Sequence, residues 1–72
     1  MLTSTNFSIT AGVLIRGQVR RGIESFCAER GIRVIIEEDR KLTGSRFRIY
    51  VTGQEYDIMA LIDTVKDIES SR

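Results

Sequence analysis

Residues 32–53 read IRVIIEEDRKLTGSRFRIYVTG, and two short alternations lie inside them. In 45–52, SRFRIYVT, Phe47, Ile49 and Val51 point one way, and Arg46, Arg48, Tyr50 and Thr52 point the other. A period of two marks a strand with one apolar face, because successive side chains of a strand alternate across the sheet. In 32–38, IRVIIEE, Ile32, Val34 and Ile36 share one face, and Arg33, Ile35 and Glu37 share the other. Between them 39–44, DRKLTG, is charged, closes on a glycine and reads as a loop. Two strands joined in this way predict an antiparallel hairpin, with Gly53 ending the second strand.

Downstream, 54–69 has the period of a helix. Ile58, Leu61, Ile62, Val65 and Ile68 form one apolar stripe, and Glu55 and Asp57 sit where the helix dipole favours acids. Upstream, 18–30 places Val19, Ile23, Phe26, Cys27 and Arg30 at helical spacing, with Gly31 suited to the left-handed position that closes a helix. Further back, 6–15 alternates Phe7, Ile9, Ala11, Val13 and Ile15 with Asn6, Ser8, Thr10, Gly12 and Leu14, which predicts a strand. Residues 1–5 and 70–72 are expected to fray. The order is β-α-β-β-α over a single domain of residues 1–72. The fold class is α+β, a three-stranded sheet with two helices packed on one face, since each helix offers a single apolar stripe.

Seventy-two residues bound what such a domain can do. At this size about 60% of the unfolded chain's surface is buried, and a core alone supplies roughly 3–5 kcal/mol. One cysteine and no histidine exclude an intrachain disulfide and a Cys/His zinc site. Self-association is the remaining usual aid. No apolar run approaches the ~18 residues of a membrane span. MLTSTNFSIT lacks basic residues ahead of an apolar stretch, so no secretory signal is expected. With a free cysteine, this predicts a cytoplasmic protein with no membrane partner.

The chemistry on offer is narrow. Without histidine there is no Ser-His or Cys-His pair. Cys27 falls on an apolar stripe and reads as a small buried hydrophobe. Glu37-Glu38-Asp39 lacks the spacing of a calcium loop and reads as a solvated strand end. No phosphate-loop or dinucleotide glycine pattern occurs. No enzymatic activity, no cofactor and no metal are expected.

Charge is unevenly placed. Residues 1–48 hold nine Arg/Lys and five Asp/Glu, a net +4; residues 49–72 hold two and five, a net −3. The first acid is Glu24, so Arg16, Arg20 and Arg21 are not locally neutralised along the chain. Arginines and amides near a helix start can hold phosphate. A second basic group falls on the outer sheet face, where Arg33, Arg46 and Arg48 surround Tyr50. Arginines with an aromatic on a sheet can hold and stack single-stranded RNA or DNA. The plain alternative is a solvated face on which Glu37 pairs an arginine across strands.

From Ile23 to Ile68 the chain resembles the later part of a KH domain, an RNA-binding family. IRVIIEED, the loop DRKLTG, RFRIYVTG and the helix after Gly53 follow that family's order, and VTG leading into an amphipathic helix is the closest local likeness. KH domains grip nucleic acid with a G-x-x-G loop. At the equivalent place this chain reads Gly17-Gln18-Val19-Arg20, with the first glycine and not the second, so no KH binding residue is carried over. The same order also resembles ferredoxin-like modules without their last strand and small ring-building domains of secretion systems.

Two functions follow as expectations. The first is a non-catalytic binding or assembly module acting through protein–protein contacts and associating with itself as a homodimer. FSITAGVLI carries no charge, so as an edge strand it would lack the usual protection against pairing. Ile9, Thr10 and Leu14 are its candidate contacts. The alternative is single-stranded nucleic-acid binding through the arginines and Tyr50.

Overall fold

The computed structural model describes residues 1–70, with the last of these in its backbone only. Five elements follow in the expected order: β1 (Leu2–Gly12), α1 (Arg16–Arg30), β2 (Arg33–Lys41), β3 (Gly44–Gln54) and α2 (Glu55–Ser70). Of the ends expected to fray, Ser71 and Arg72 lie outside the described residues. Residues 2–5 are in β1 instead, paired with Gln54, Gly53, Thr52 and Val51.

The sheet order is β1-β3-β2. Both outer strands run antiparallel to β3, so β1 and β2 are parallel to each other with β3 inserted between them. This division of labour follows from composition. The central strand is covered along the middle of its inner face, where Phe47, Ile49 and Val51 are each almost wholly buried. Both helices cover that face. Ile23 and Cys27 of α1, with Ile58, Leu61 and Val65 of α2, close the core against Ile9 and Phe47.

Two local readings are corrected. The β2–β3 connection is shorter than the expected loop. The strands continue to Lys41 and resume at Gly44, which are paired, so only Leu42 and Thr43 form the turn. Charged residues there hid the strand because β2 is an edge and tolerates them. Gly53 does not break β3 either. It pairs with Thr3, and a Cβ at this position would lie 3.2 Å from Ile32 Cγ1. The missing side chain lets the α1–β2 connection pass close over the strand.

At the other end of the first unit, β1 stops at Gly12 and Val13 belongs to a turn, half-exposed. Ile15 keeps an inward place but as the residue before α1, where its carbonyl accepts from Val19 N at 2.9 Å. The alternation had run on because the turn happens to repeat it. α1 ends as expected: Gly31 has φ 71°, Ile32 N donates to Cys27 O at 2.8 Å, and Ile32 is buried beneath. Arg30 then donates from Nη1 to Asp57 Oδ1 at 3.3 Å and lies 4.6 Å from the Phe26 ring, which ties α1 to one flank of α2.

Cys27 is 0% exposed, and burial pushes its thiol above the ordinary range. A thiol reagent at neutral pH is therefore expected to label Cys27 only when the domain opens. Labelling as fast as that of a denatured chain would show that α1 is not seated on the sheet.

Candidate functional site

The two sheet edges differ in kind. β2 carries Arg33, Glu37, Glu38, Asp39, Arg40 and Lys41, and such charges oppose pairing with another strand. β1, LTSTNFSITAG, carries no charge and no proline.

The direction of β1's free backbone groups follows from one hydrogen bond. Glu55 N donates to Met1 O at 3.3 Å, and this pair continues the register Leu2↔Gln54 by one residue. In an antiparallel ladder, residues alternate between bonding their partner and pointing away from it. Thr3, Thr5, Phe7 and Ile9 therefore bond β3, whereas Leu2, Ser4, Asn6 and Ser8 turn their amides and carbonyls outward. The side chains of that outward set lie on the helix-free face and are exposed.

The register fixes the rest of that face. Arg33 stands beside Thr52, Ile35 beside Tyr50, Glu37 beside Arg48 and Asp39 beside Arg46. The structure thus brings together Arg33, Arg46, Arg48 and Tyr50, as the alternation implied. It also sets an acid directly next to two of the three arginines. Tyr50, 37% exposed, donates to Glu37 Oε1 at 3.3 Å. Near the hairpin turn this face carries an open cleft of about 410 Å³, with Thr10, Gly12, Lys41, Gly44 and Arg46 among its walls. Asp39 lines it too, 3.8 Å from Lys41 Nζ, so the cleft's cations are partly balanced.

The other basic group is used internally. Arg16 Nη1 donates to Lys41 O at 2.9 Å and to Ser45 Oγ at 3.5 Å, clamping the start of α1 to the hairpin. Arg20 Nη1 pairs with Glu38 Oε1 at 3.2 Å, and its Nε lies 3.9 Å from Glu24. Arg21 is exposed, with no side-chain partner among the described residues.

Glu38 is the residue that the sequence reading missed. It is not part of a solvated strand end. It lies on the helix side of β2 and accepts from the buried Ser45 hydroxyl at 2.7 Å, with Arg40 Nε at 3.3 Å. The signal was available: Glu38 continues the parity of Val34 and Ile36 rather than that of Glu37. The Ser45 hydrogen bond holds the Glu38 carboxyl below the ordinary carboxylate range, helped by Arg40 and Arg20 and opposed by desolvation. A depressed folded pKa contributes stability above the unfolded value, about 4.3 for Glu, and that stability is lost as pH falls through the folded value. Melting temperature is expected to drop on acidification below that range. Glu38→Gln should melt lower at neutral pH and show a shallower acid decline. Parallel profiles for the two proteins would remove Glu38 from the acid transition.

Of the candidate self-contacts, Ile9 faces the core at 3% exposure and is closed to a partner. Thr10 is in β1 on the exposed face. Leu14 lies beyond the strand, in the β1–α1 turn, and is 93% exposed. Edge pairing of β1 would not bury it, contrary to expectation. No helix among the described residues is long and apolar enough to cross a membrane. Comparison with protein-family models, with curated proteins and with solved structures finds no match for this chain.

Proposed function

We propose that this chain is a small non-catalytic assembly module that acts through protein–protein contacts at the β1 edge and associates with itself. The observation that carries this reading is the contrast between its edges: one densely charged, the other an uncharged strand of 11 residues with outward amides. Strand addition at such an edge satisfies backbone groups in a single step. It also supplies the burial that a domain of this size lacks.

Sedimentation equilibrium at tens of micromolar protein tests it. A species heavier than 8.2 kDa is expected. Ser8→Pro should restore the monomer without unfolding it, because the Ser8 amide points away from β3 and proline is tolerated on edge strands. A wild-type protein that sediments at 8.2 kDa would overturn the reading.

Single-stranded nucleic acid on the helix-free face is the second reading. Its support is Tyr50 exposed among Arg33, Arg46 and Arg48, together with the KH-like order of residues 23–68. The acids Glu37 and Asp39 beside those arginines weigh against it. Titration of labelled single-stranded RNA at two salt concentrations separates the two: affinity falling steeply with salt favours nucleic acid, and no binding at low salt removes it.

A further inference from the structure

We infer that the end of the molecule where the β1–α1 and β2–β3 turns meet rests on an anionic lipid surface, with a leucine from each turn entering the headgroup layer. The inference does not depend on the β1 edge and gives the chain a second contact surface.

Two turns distant in sequence come together at this end. Gly12 pairs with Gly44 at the close of the β1–β3 ladder, and Arg16 Nη1 donates to Lys41 O at 2.9 Å. Val13 and Leu14 therefore leave the sheet beside Leu42. Leu42 is 98% exposed, Leu14 93% and Val13 45%. A scattered exposed leucine needs no explanation. These two stand in neighbouring turns, where glycine, asparagine, aspartate and serine are the usual residues. Neither belongs to the core or packs against it, so the fold does not require them.

Positive charge gathers at the same end. Residues 10–22 and 38–46 together hold six Arg/Lys and two acids, a net +4, whereas the remainder of the chain nets −3. The cations are Arg16, Arg20 and Arg21 in the first two turns of α1 and Arg40, Lys41 and Arg46 on the hairpin. The acids are Glu38, turned to the helix side against Ser45 and Arg20, and Asp39 beside Lys41. α2 keeps its own acids back from this end. It starts at the far end of β3, where Glu55 N meets Met1 O. Its 16 residues span about 24 Å, against about 36 Å for the 11 residues of β3.

Apolar tips on basic ground fit a bilayer interface. The acyl boundary accepts protruding apolar groups of any shape, and anionic headgroups attract the cations around them. A protein partner would need a fitted pocket for each tip. That no helix among the described residues can span a bilayer bears on crossing one and not on resting against it.

Leu42→Trp tests this on the whole chain, which has no tryptophan of its own. The probes are vesicles of phosphatidylcholine alone and vesicles in which about a third of the lipid is phosphatidylserine, an anionic surface of the kind that draws basic segments. With the anionic vesicles the emission is expected to move to shorter wavelength as the indole leaves water. With phosphatidylcholine alone it should stay where it is. Adding Leu14→Ser to Leu42→Trp should weaken binding to the anionic vesicles by about tenfold or more. The melting temperature should not change, because both side chains lie in solvent. Co-sedimentation of the wild type with the same vesicles, set against Leu14→Ser with Leu42→Ser, repeats the comparison without the added indole. Emission that the anionic vesicles leave unshifted, with wild type that stays in the supernatant, overturns the inference. Binding that the serine substitutions leave intact also overturns it, since charge attraction alone would then suffice. A shift produced by single-stranded RNA and not by vesicles assigns this end to nucleic acid and overturns it too. None of these results bears on the assembly reading, which sedimentation equilibrium tests separately.

Discussion

Gly44→Ala is expected to lose most of the protein's stability, although it adds one methyl group. A Cβ on Gly44 would stand 2.5 Å from Ala11 O and 3.2 Å from Gly12 Cα, both backbone atoms of the neighbouring strand. No flexible side chain can yield there. Gly44 also has φ 150°, a conformation that side chains rarely adopt. A strained backbone of this kind costs about 1–3 kcal/mol, and forcing a group into filled space costs about 1–3 kcal/mol more. A single small core supplies only roughly 3–5 kcal/mol. The turn it closes also holds Lys41, whose carbonyl anchors Arg16, so the start of α1 should loosen with the hairpin. Gly22→Ala is the matched control. Nothing lies within 4 Å of a Cβ at Gly22 in α1, and alanine there should stabilise the helix by about 1 kcal/mol. Thermal melts should move in opposite directions for the two variants. A Gly44→Ala curve that overlies the wild type would mean that the hairpin closes in another conformation.

The contrast between these glycines shows where the sequence was legible. Periodicity placed all five elements, because Phe47-Ile49-Val51 and the Ile58–Ile68 stripe repeat their own structure's spacing and nothing competes with it. It placed ends poorly where local pattern and tertiary context diverge. DRKLTG looks like a loop, yet Asp39, Arg40 and Lys41 can remain in a strand because β2 is an edge and its charges reach water. Gly53 looks like a stop, yet it is a point of close passage for Ile32, which local sequence does not encode. Strand order was legible in part: the hairpin put β2 beside β3, but on pattern alone β1 could join either of them, and it joins β3. The basic surface was half legible. Parity put Arg33, Arg46, Arg48 and Tyr50 on one face correctly. The fate of Arg16 and Arg20 depended on Glu38 and Lys41, both distant in the chain, and only the folded hairpin brings these within reach.

Phe47→Ala is expected to leave the chain largely unfolded at low micromolar concentration and to refold as concentration rises. Phe47 is 1% exposed at the middle of the central strand, with Ile9 beside it on β1 and Glu38 on β2. Truncating a buried phenylalanine to alanine costs about 3–5 kcal/mol, which equals the whole net stability a core of this size supplies. Two linked equilibria then govern the outcome. If only the folded chain can offer a complete β1 edge, association draws the unfolded population back. The stabilisation grows with the logarithm of concentration, about 2.7 kcal/mol at 100 times the dissociation constant. Folded fraction in Phe47→Ala should therefore climb with concentration. In Phe47→Ala with Ser8→Pro it should not, because the edge amide is gone while the core defect is the same. Hydrogen exchange of the β3 amides is the suitable readout. The chain has no tryptophan, and Tyr50 and Tyr56 are both exposed, so fluorescence would report the core poorly. A Phe47→Ala protein that is fully folded when dilute would show that one core suffices for this fold. A folded fraction that ignores concentration with Ser8 in place would show that stability and the β1 edge are not coupled.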